Sequence, residues 1–102
     1  MDTVAERILQ LRVENDSLKV AVKLGRPELD ESGENWKCQY EVSFGQERRY
    51  TYIHGLDSMQ ALQLAMTTLD AELERGAKMR GGELFHLDEP FVSILEAGGF
   101  GR

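Results

Sequence analysis

The chain has 102 residues, enough for one hydrophobic core, so we expect a single domain spanning residues 1–102. Hydrophobic residues make up 41% and charged residues 29% of the chain, a composition that is typical of a globular protein and not of a disordered one. A net charge of −6 with scattered basic residues disfavours binding to nucleic acid.

The cysteine content, the lengths of the apolar runs and the N-terminal residues together indicate where in the cell the protein is located. The lone Cys38 excludes an internal disulfide or a zinc site built on a cysteine pair, and it is compatible with a reducing environment. The apolar runs are far shorter than the roughly 20 residues that span a bilayer. Asp2 and Glu6 stand where a signal peptide would have basic residues. We therefore expect a cytoplasmic protein that does not bind membranes.

The first quarter of the chain predicts a β-hairpin. Residues 4–13 fit a helix by some of their apolar spacings and a strand by others. Residues 18–24 alternate apolar and polar side chains, which is typical of a strand with one buried face. Because Asn15 and Asp16 between the two runs are turn residues, we interpret both runs as strands.

Two further strands are predicted after a polar, acidic loop at residues 26–35. The first is expected at the centre of the sheet, because five apolar side chains alternate with polar ones: Trp36, Cys38, Tyr40, Val42 and Phe44. The second covers residues 48–53. Its inward set is either Tyr50 with Tyr52 or Thr51 with Ile53.

Residues 55–75 have the periodicity of one long amphipathic helix. Its apolar stripe consists of Leu62, Ala65, Met66, Leu69 and Leu73. Asp57 and Gln60 form a predicted capping box at the start, and Gly76 is predicted to end the helix.

The remaining chain, residues 82–102, is predicted to be a tail. It contains a short edge strand at 84–87 that Pro90 breaks, a short helix or turn at 91–95, and a flexible end at 98–102. The expected fold is α+β, in the order β-β-β-β-α. An antiparallel four-stranded sheet carries one long helix packed on one face, followed by a short C-terminal strand or helix.

The segment Gly55-x-Asp57-Ser58-Met59 resembles the attachment site of acyl and peptidyl carrier proteins. This resemblance implies a phosphopantetheine group on Ser58. However, carrier proteins are helical bundles, and the residues before Ser58 have the alternation of strands. We favour a structural role, in which Asp57 caps the helix and Ser58 lies in its first turn.

No other set of residues predicts a catalytic or metal site. Cys38 and His54 are conceivable as a nucleophile and its base, but Cys38 lies on an apolar strand face. His86 has no neighbouring ligands at metal-binding spacing. The acidic residues of the loop lack the order of a calcium-binding loop, and a solvated turn is favoured for this group: Glu28, Asp30, Glu31 and Glu34. We expect no catalytic residues, no cofactor and no metal.

Three motifs together resemble an uncharacterised family of small bacterial proteins, known as a domain of unknown function. They are Gly25-x-Pro27, Trp36-x-Cys38-x-Tyr40 and Gly55-x-Asp57-Ser58-x-Gln60-Ala61-Leu62. The similarity covers roughly residues 5–75. It implies a bacterial origin and one strand-rich layer with one helix, and it implies no activity.

The expected function is therefore that of a small non-enzymatic domain that binds another protein or forms a homodimer. The alternative is a carrier protein modified at Ser58. The apolar residues of the tail favour association, because one helix over four strands does not obviously bury them all: Leu84, Phe85, Leu87, Phe91, Val92, Ile94 and Leu95.

Overall fold

The computed structural model describes residues 1–96. These residues form one sheet of seven strands and one helix. The strands are β1 (Thr3–Val13), β2 (Asp16–Gly25), β3 (Glu28–Leu29), β4 (Trp36–Phe44), β5 (Glu47–Gly55), β6 (Glu83–His86) and β7 (Glu89–Pro90), and the helix between β5 and β6 is α1 (Ser58–Met79).

The sheet is antiparallel, and β4 is paired on both edges. β5 pairs with β4 along its whole length, while β2 and then β3 share the opposite edge of β4. On the far side of β2 lies β1, and the end of β1 pairs with β6, which turns back into β7. The α+β class and the central position of β4 are confirmed. The sheet has three short strands besides the predicted four: β6 corresponds to the strand predicted at 84–87, whereas β3 and β7 are not predicted.

Two of these additions correct particular predictions. The loop predicted at 26–35 is interrupted by β3, in which Leu29 pairs with Trp36. Pro27 ends the ladder of β2, since it has no N–H to donate, and the chain rejoins β4 directly afterwards. Pro90 does not simply break the tail, because it lies in β7 opposite Phe85.

The predicted N-terminal hairpin forms, with its turn one residue earlier than predicted. Val13 lies opposite Asp16, so Glu14 and Asn15 make the turn, and Glu14 has a positive φ of 52°. The strand interpretation of residues 4–13 is therefore correct. Leu9 and its partner Val20 face the same side of the sheet and are both buried.

We call the side of the sheet that α1 covers the inner face, and the other side the open face. α1 packs mainly on β4 and β5. The predicted apolar face of β4 is the inner face, where Cys38, Tyr40, Val42 and Phe44 are buried and Trp36 is half-buried. The register resolves the choice for β5: Ile53 lies opposite Cys38, so Thr51 and Ile53 face inwards.

The start of α1 agrees with the predicted capping box, with one difference. The Asp57 carboxylate accepts a hydrogen bond of 2.7 Å from the backbone N–H of Gln60. The side-chain oxygen of Gln60 accepts a hydrogen bond of 2.7 Å from the N–H of Leu56, whereas a standard capping box would use the N–H of Asp57. The bond to Gln60 satisfies one of the N–H donors that a helix start leaves without partners.

The predicted end of the helix at Gly76 is wrong. α1 continues to Met79, and Gly76 is buried inside it. A Cβ atom at position 76 would lie 2.5 Å from Cζ of Phe44. Glycine is therefore needed for the close approach of the helix to β4, and not for termination.

Arg80 caps the C-terminus of α1, and the left-handed residue that follows is Gly81, with φ of 67°. The N–H of Gly81 donates to the Lys78 carbonyl and that of Gly82 to the Ala77 carbonyl, each at 3.0 Å. This pattern is a Schellman motif, which satisfies the last helical carbonyls.

The segment after β7 belongs largely to the core. Phe91 and Ile94 pack against the buried residues, and Leu84 in β6 is itself buried. Asp70 of α1 holds the segment by accepting 2.6 Å hydrogen bonds from the Ser93 hydroxyl and the Ile94 N–H. Of the short helix or turn predicted at 91–95, the turn is what forms.

Only part of the apolar tail is left exposed. Leu87, Val92 and Leu95 remain exposed, so the apolar surplus is much smaller than expected. The predicted flexible end at 98–102 lies outside the described residues. Within residues 1–96, no helix has the length and apolar character needed to cross a membrane.

Removal of the cap should destabilise the domain measurably. We expect Asp57→Ala to lower the free energy of unfolding by about 1 kcal/mol, because the Gln60 N–H loses its acceptor. Ser58→Ala in the same turn is the control and should change it by less than about 0.5 kcal/mol. Urea denaturation of the three proteins measures both effects. Equal midpoints and slopes for all three would show that Asp57 does not cap α1.

Candidate functional site

The conceivable pair of Cys38 and His54 is not brought together. Cys38 is fully buried on the inner face, and its thiol donates to the Gly25 carbonyl at 3.4 Å. Its burial raises the pKa of the thiol, which disfavours a reactive thiolate. His54 lies opposite Lys37, whereas Cys38 lies opposite Ile53, so the two side chains are on different faces.

The acidic loop is a hydrogen-bonded turn. The Asp30 carboxylate accepts from the Ser32 hydroxyl at 2.5 Å and from its N–H at 3.0 Å, and the hydroxyl contact is the main cause that lowers the pKa of Asp30. Glu31 pairs with Lys37 at 2.8 Å, and this bond lowers the pKa of Glu31. Across residues 1–96, no three histidine, cysteine, aspartate or glutamate side chains are placed to hold a metal ion.

Ser58 is the first residue of α1 and is exposed. The chain before it forms the five strands β1 to β5, not the helices of a carrier protein. The role observed at this helix start is that of Asp57, which caps it. The geometry therefore gives no support to the carrier alternative.

A cleft of about 470 Å³ lies between the C-terminal half of α1 and the inner face of β4 and β5. We call it the arginine cleft. Its charged residues are Glu47, Arg49, Glu72, Arg75 and Arg80, and its apolar residues are Val42, Phe44 and Met79. Towards the middle and end of β5 the inward residues are Thr51 and Ile53, whereas near its start they are Arg49 and Glu47. The cleft lies at these two charged residues.

Glu72 in the wall of the cleft is tied to the core by one of its two oxygens. Its Oε1 accepts a hydrogen bond of 2.8 Å from the Tyr40 hydroxyl. Burial, followed by this bond, raises the pKa of Tyr40 to about 12. Oε2 of Glu72 is buried and has no hydrogen-bond partner among the described residues. A buried acceptor without a partner is energetically costly and marks an unusual site.

The three arginines of the cleft differ in their contacts. Arg80 is fully engaged: it pairs with Glu47 at 3.0 Å, donates to the Gly76 carbonyl at 3.0 Å and lies 4.1 Å from the centre of the Phe44 ring. Arg49 and Arg75 have no ion pair and no side-chain hydrogen bond within residues 1–96. Two guanidinium groups at the cleft are thus free to bind a ligand.

The open face is polar, as the sequence predicted, with aromatic residues near one edge. Lys23 lies between Glu6 and the buried Glu41, 3.8 Å from each carboxylate. Tyr50 and Tyr52 of β5 are 55% and 52% exposed. A smaller depression of about 270 Å³ beside Tyr52 has its main cations already paired, Arg26 with Asp2 and Lys37 with Glu31.

The arginine cleft could not be predicted from the sequence. Its charged residues lie in β5 and in the second half of α1 or directly after it, far apart in the chain, and none of them belongs to a motif. The one local signal was the spacing of Glu72 and Arg75, which places both on one helix flank.

Residues 5–93 match a family model described as a domain of unknown function, DUF6968. The match covers most of the chain, and the protein belongs to this family. No curated protein and no solved structure matches the chain. The predicted resemblance to a domain of unknown function is confirmed, and the family carries no assigned activity.

The buried position of Cys38 predicts slow reaction with thiol reagents. We expect the folded protein to react with a small disulfide reagent at a rate set by opening of the core, and the protein in strong denaturant to react at once. The release of the reagent's chromophore measures both rates. Equal rates in the two conditions would place Cys38 outside the core.

The Tyr40–Glu72 pair predicts a loss of stability at alkaline pH. The folded phenol keeps its proton up to pH about 12, whereas the unfolded one releases it near 10.0, so the folded state binds more protons between these values. The free energy of unfolding should therefore fall as the pH rises through this window. Tyr40→Phe should remove that part of the slope, while Tyr50→Phe at the exposed edge should keep it. Urea denaturation at several alkaline pH values measures how the free energy of unfolding of each protein changes with pH. The same pH dependence in the wild type and both variants would show that Tyr40 is not its source.

Proposed function

We propose that this domain is a non-enzymatic interaction module that forms a homodimer by pairing strand β5 with β5 of a second copy. The observation that carries the proposal is the outer edge of β5. This strand has nine residues and pairs only with β4, so its other edge has no backbone partner within residues 1–96.

The edge of β5 has few of the features that block strand addition. Natural edge strands are commonly protected by proline, bulges, charges or short length. β5 has no proline, its register with β4 is continuous, and its charges are confined to its first three residues. Its centre, residues 50–53, consists of Tyr, Thr, Tyr and Ile, which favour strands.

The sequence of β5 is complementary to itself in one antiparallel register. A two-fold axis through Thr51 places Tyr50 opposite Tyr52 of the second copy, and Thr51 opposite its own copy. Aromatic pairs and threonine pairs are favourable cross-strand neighbours. The same register places Arg49 opposite Ile53, so no two arginines face each other. An axis through Arg49 would oppose two guanidinium groups and is disfavoured.

The reason for association differs from the one that the sequence suggested. The tail residues Phe91 and Ile94 contribute to the protein's own core, so they supply no reason for association. The exposed tyrosines of β5 supply it instead. A symmetric dimer is the commonest outcome of a self-complementary edge.

A charge exchange at the two tyrosines tests the register. In Tyr50→Glu/Tyr52→Glu, each of the two symmetric contacts brings together like charges, so we expect dissociation to monomers. In Tyr50→Glu/Tyr52→Lys, the same contacts bring together opposite charges, so the dimer should return. Sedimentation velocity over a range of micromolar concentrations measures the oligomeric state, and circular dichroism checks the fold of each variant.

Val4→Glu is the matched control, because Val4 is exposed on β1, away from β5. It should leave the dimer unchanged. A wild-type protein that is monomeric throughout would overturn the proposal. So would dissociation of both double variants to the same extent, since this would show an interface without the proposed register.

A further inference from the structure

The arginine cleft has the chemistry of a binding site, and this inference does not depend on the proposed dimer. We propose that the cleft binds a small zwitterion, an amino acid or short peptide, with the carboxylate at Arg49 and Arg75 and the ammonium group at Glu72.

The local charge of the cleft is opposite to that of the protein. Three arginines and two glutamates line it, which leaves one net positive charge in a chain with a net charge of −6. Since Arg80 and Glu47 neutralise each other, the groups available to a ligand are Arg49, Arg75 and Glu72. A clustered positive charge in an acidic protein attracts small anions to this place.

The two free arginines can bind a carboxylate. Arg49 is held by β5 and Arg75 by α1, so their backbones are fixed by different elements that meet at the cleft. A guanidinium group presents a planar fork of N–H donors that matches both oxygens of a carboxylate.

Glu72 adds a requirement that inorganic anions do not meet. Its Oε1 is held by Tyr40 at 2.8 Å, and its buried Oε2 has no partner among the described residues. A negatively charged acceptor in this position repels a plain anion but accepts from an ammonium group. A ligand with both charges satisfies all three side chains together.

The remaining wall of the cleft suits an apolar side chain. Val42 and Phe44 form its floor on β4, and Met79 at its rim is exposed and adaptable in shape. The volume of about 470 Å³ lies within the range of small-molecule sites, about 300–1,000 Å³. Leucine and leucyl-leucine are therefore suitable probes.

Heteronuclear NMR titration of the full chain tests the proposal, with two analogues that each lack one charge. Isocaproate is leucine without its ammonium group, and isopentylamine is leucine without its carboxylate. We expect leucine or leucyl-leucine to shift amide resonances around the cleft at millimolar concentration. Isocaproate and isopentylamine should bind at least about tenfold more weakly than leucine, since each lacks one charge-assisted contact.

Three variants assign the two ends of the ligand. Arg49→Gln should weaken the zwitterion and isocaproate but not isopentylamine, and Glu72→Gln should weaken the zwitterion and isopentylamine but not isocaproate. Arg48→Gln, the same change on the open face of the same strand, should alter none of them. The amide spectra also confirm that each variant is folded.

Other results would overturn the proposal. No shift with either zwitterion would show that the cleft is an ordinary surface. Equal binding of leucine, isocaproate and inorganic phosphate would show a general anion site without a role for Glu72. Neither result bears on the dimer, because the resonances followed are those of the cleft and the oligomeric state is measured separately.

Discussion

The close approach of α1 to β4 is the constraint on which the rest of the structure depends. Ala61 and Ala65 of α1 are completely buried, and Gly76 lies where a side chain would collide with the Phe44 ring. Small residues along one helix flank let the backbone come near the sheet, and the large residues of β4 then fill the space. Because β4 is paired on both edges, this contact fixes the helix relative to the whole sheet.

The same contact explains where the arginine cleft lies. Near the start of α1, the inner face of β5 offers Thr51 and Ile53, and the helix packs on them. Near the end of α1, β5 offers Arg49 and Glu47, whose charges require water or a partner. Phe44 connects the two features, since it packs on Gly76 from one side and on the Arg80 guanidinium from another. The Phe44 ring therefore contributes both to the packing of α1 on β4 and to the arginine cleft.

The parts of the fold that follow from local chemistry could be predicted from the sequence. The alternation of Trp36 to Phe44 defines β4, and Asp57 with Gln60 defines the start of α1, since each pattern acts within a few residues. Gly76 was misinterpreted because a helix stop and a close contact use the same residue, and only the position of Phe44 distinguishes them. The inward set of β5 and the position of Arg49 in the cleft depend on strand register and on a helix that is distant in sequence, which no local pattern reports.

The hydrogen bonds that Asp70 accepts from Ser93 and Ile94 affect the order in which the domain can be completed during synthesis. Leu84, Phe91 and Ile94 all join the core, so the inner face stays partly open to water until residue 94 has been made. A ribosome covers the most recent part of the chain, which delays closure further still. For this interval the nascent domain has its sheet and helix but lacks its last hydrophobic contacts, so its exposed apolar surface favours aggregation.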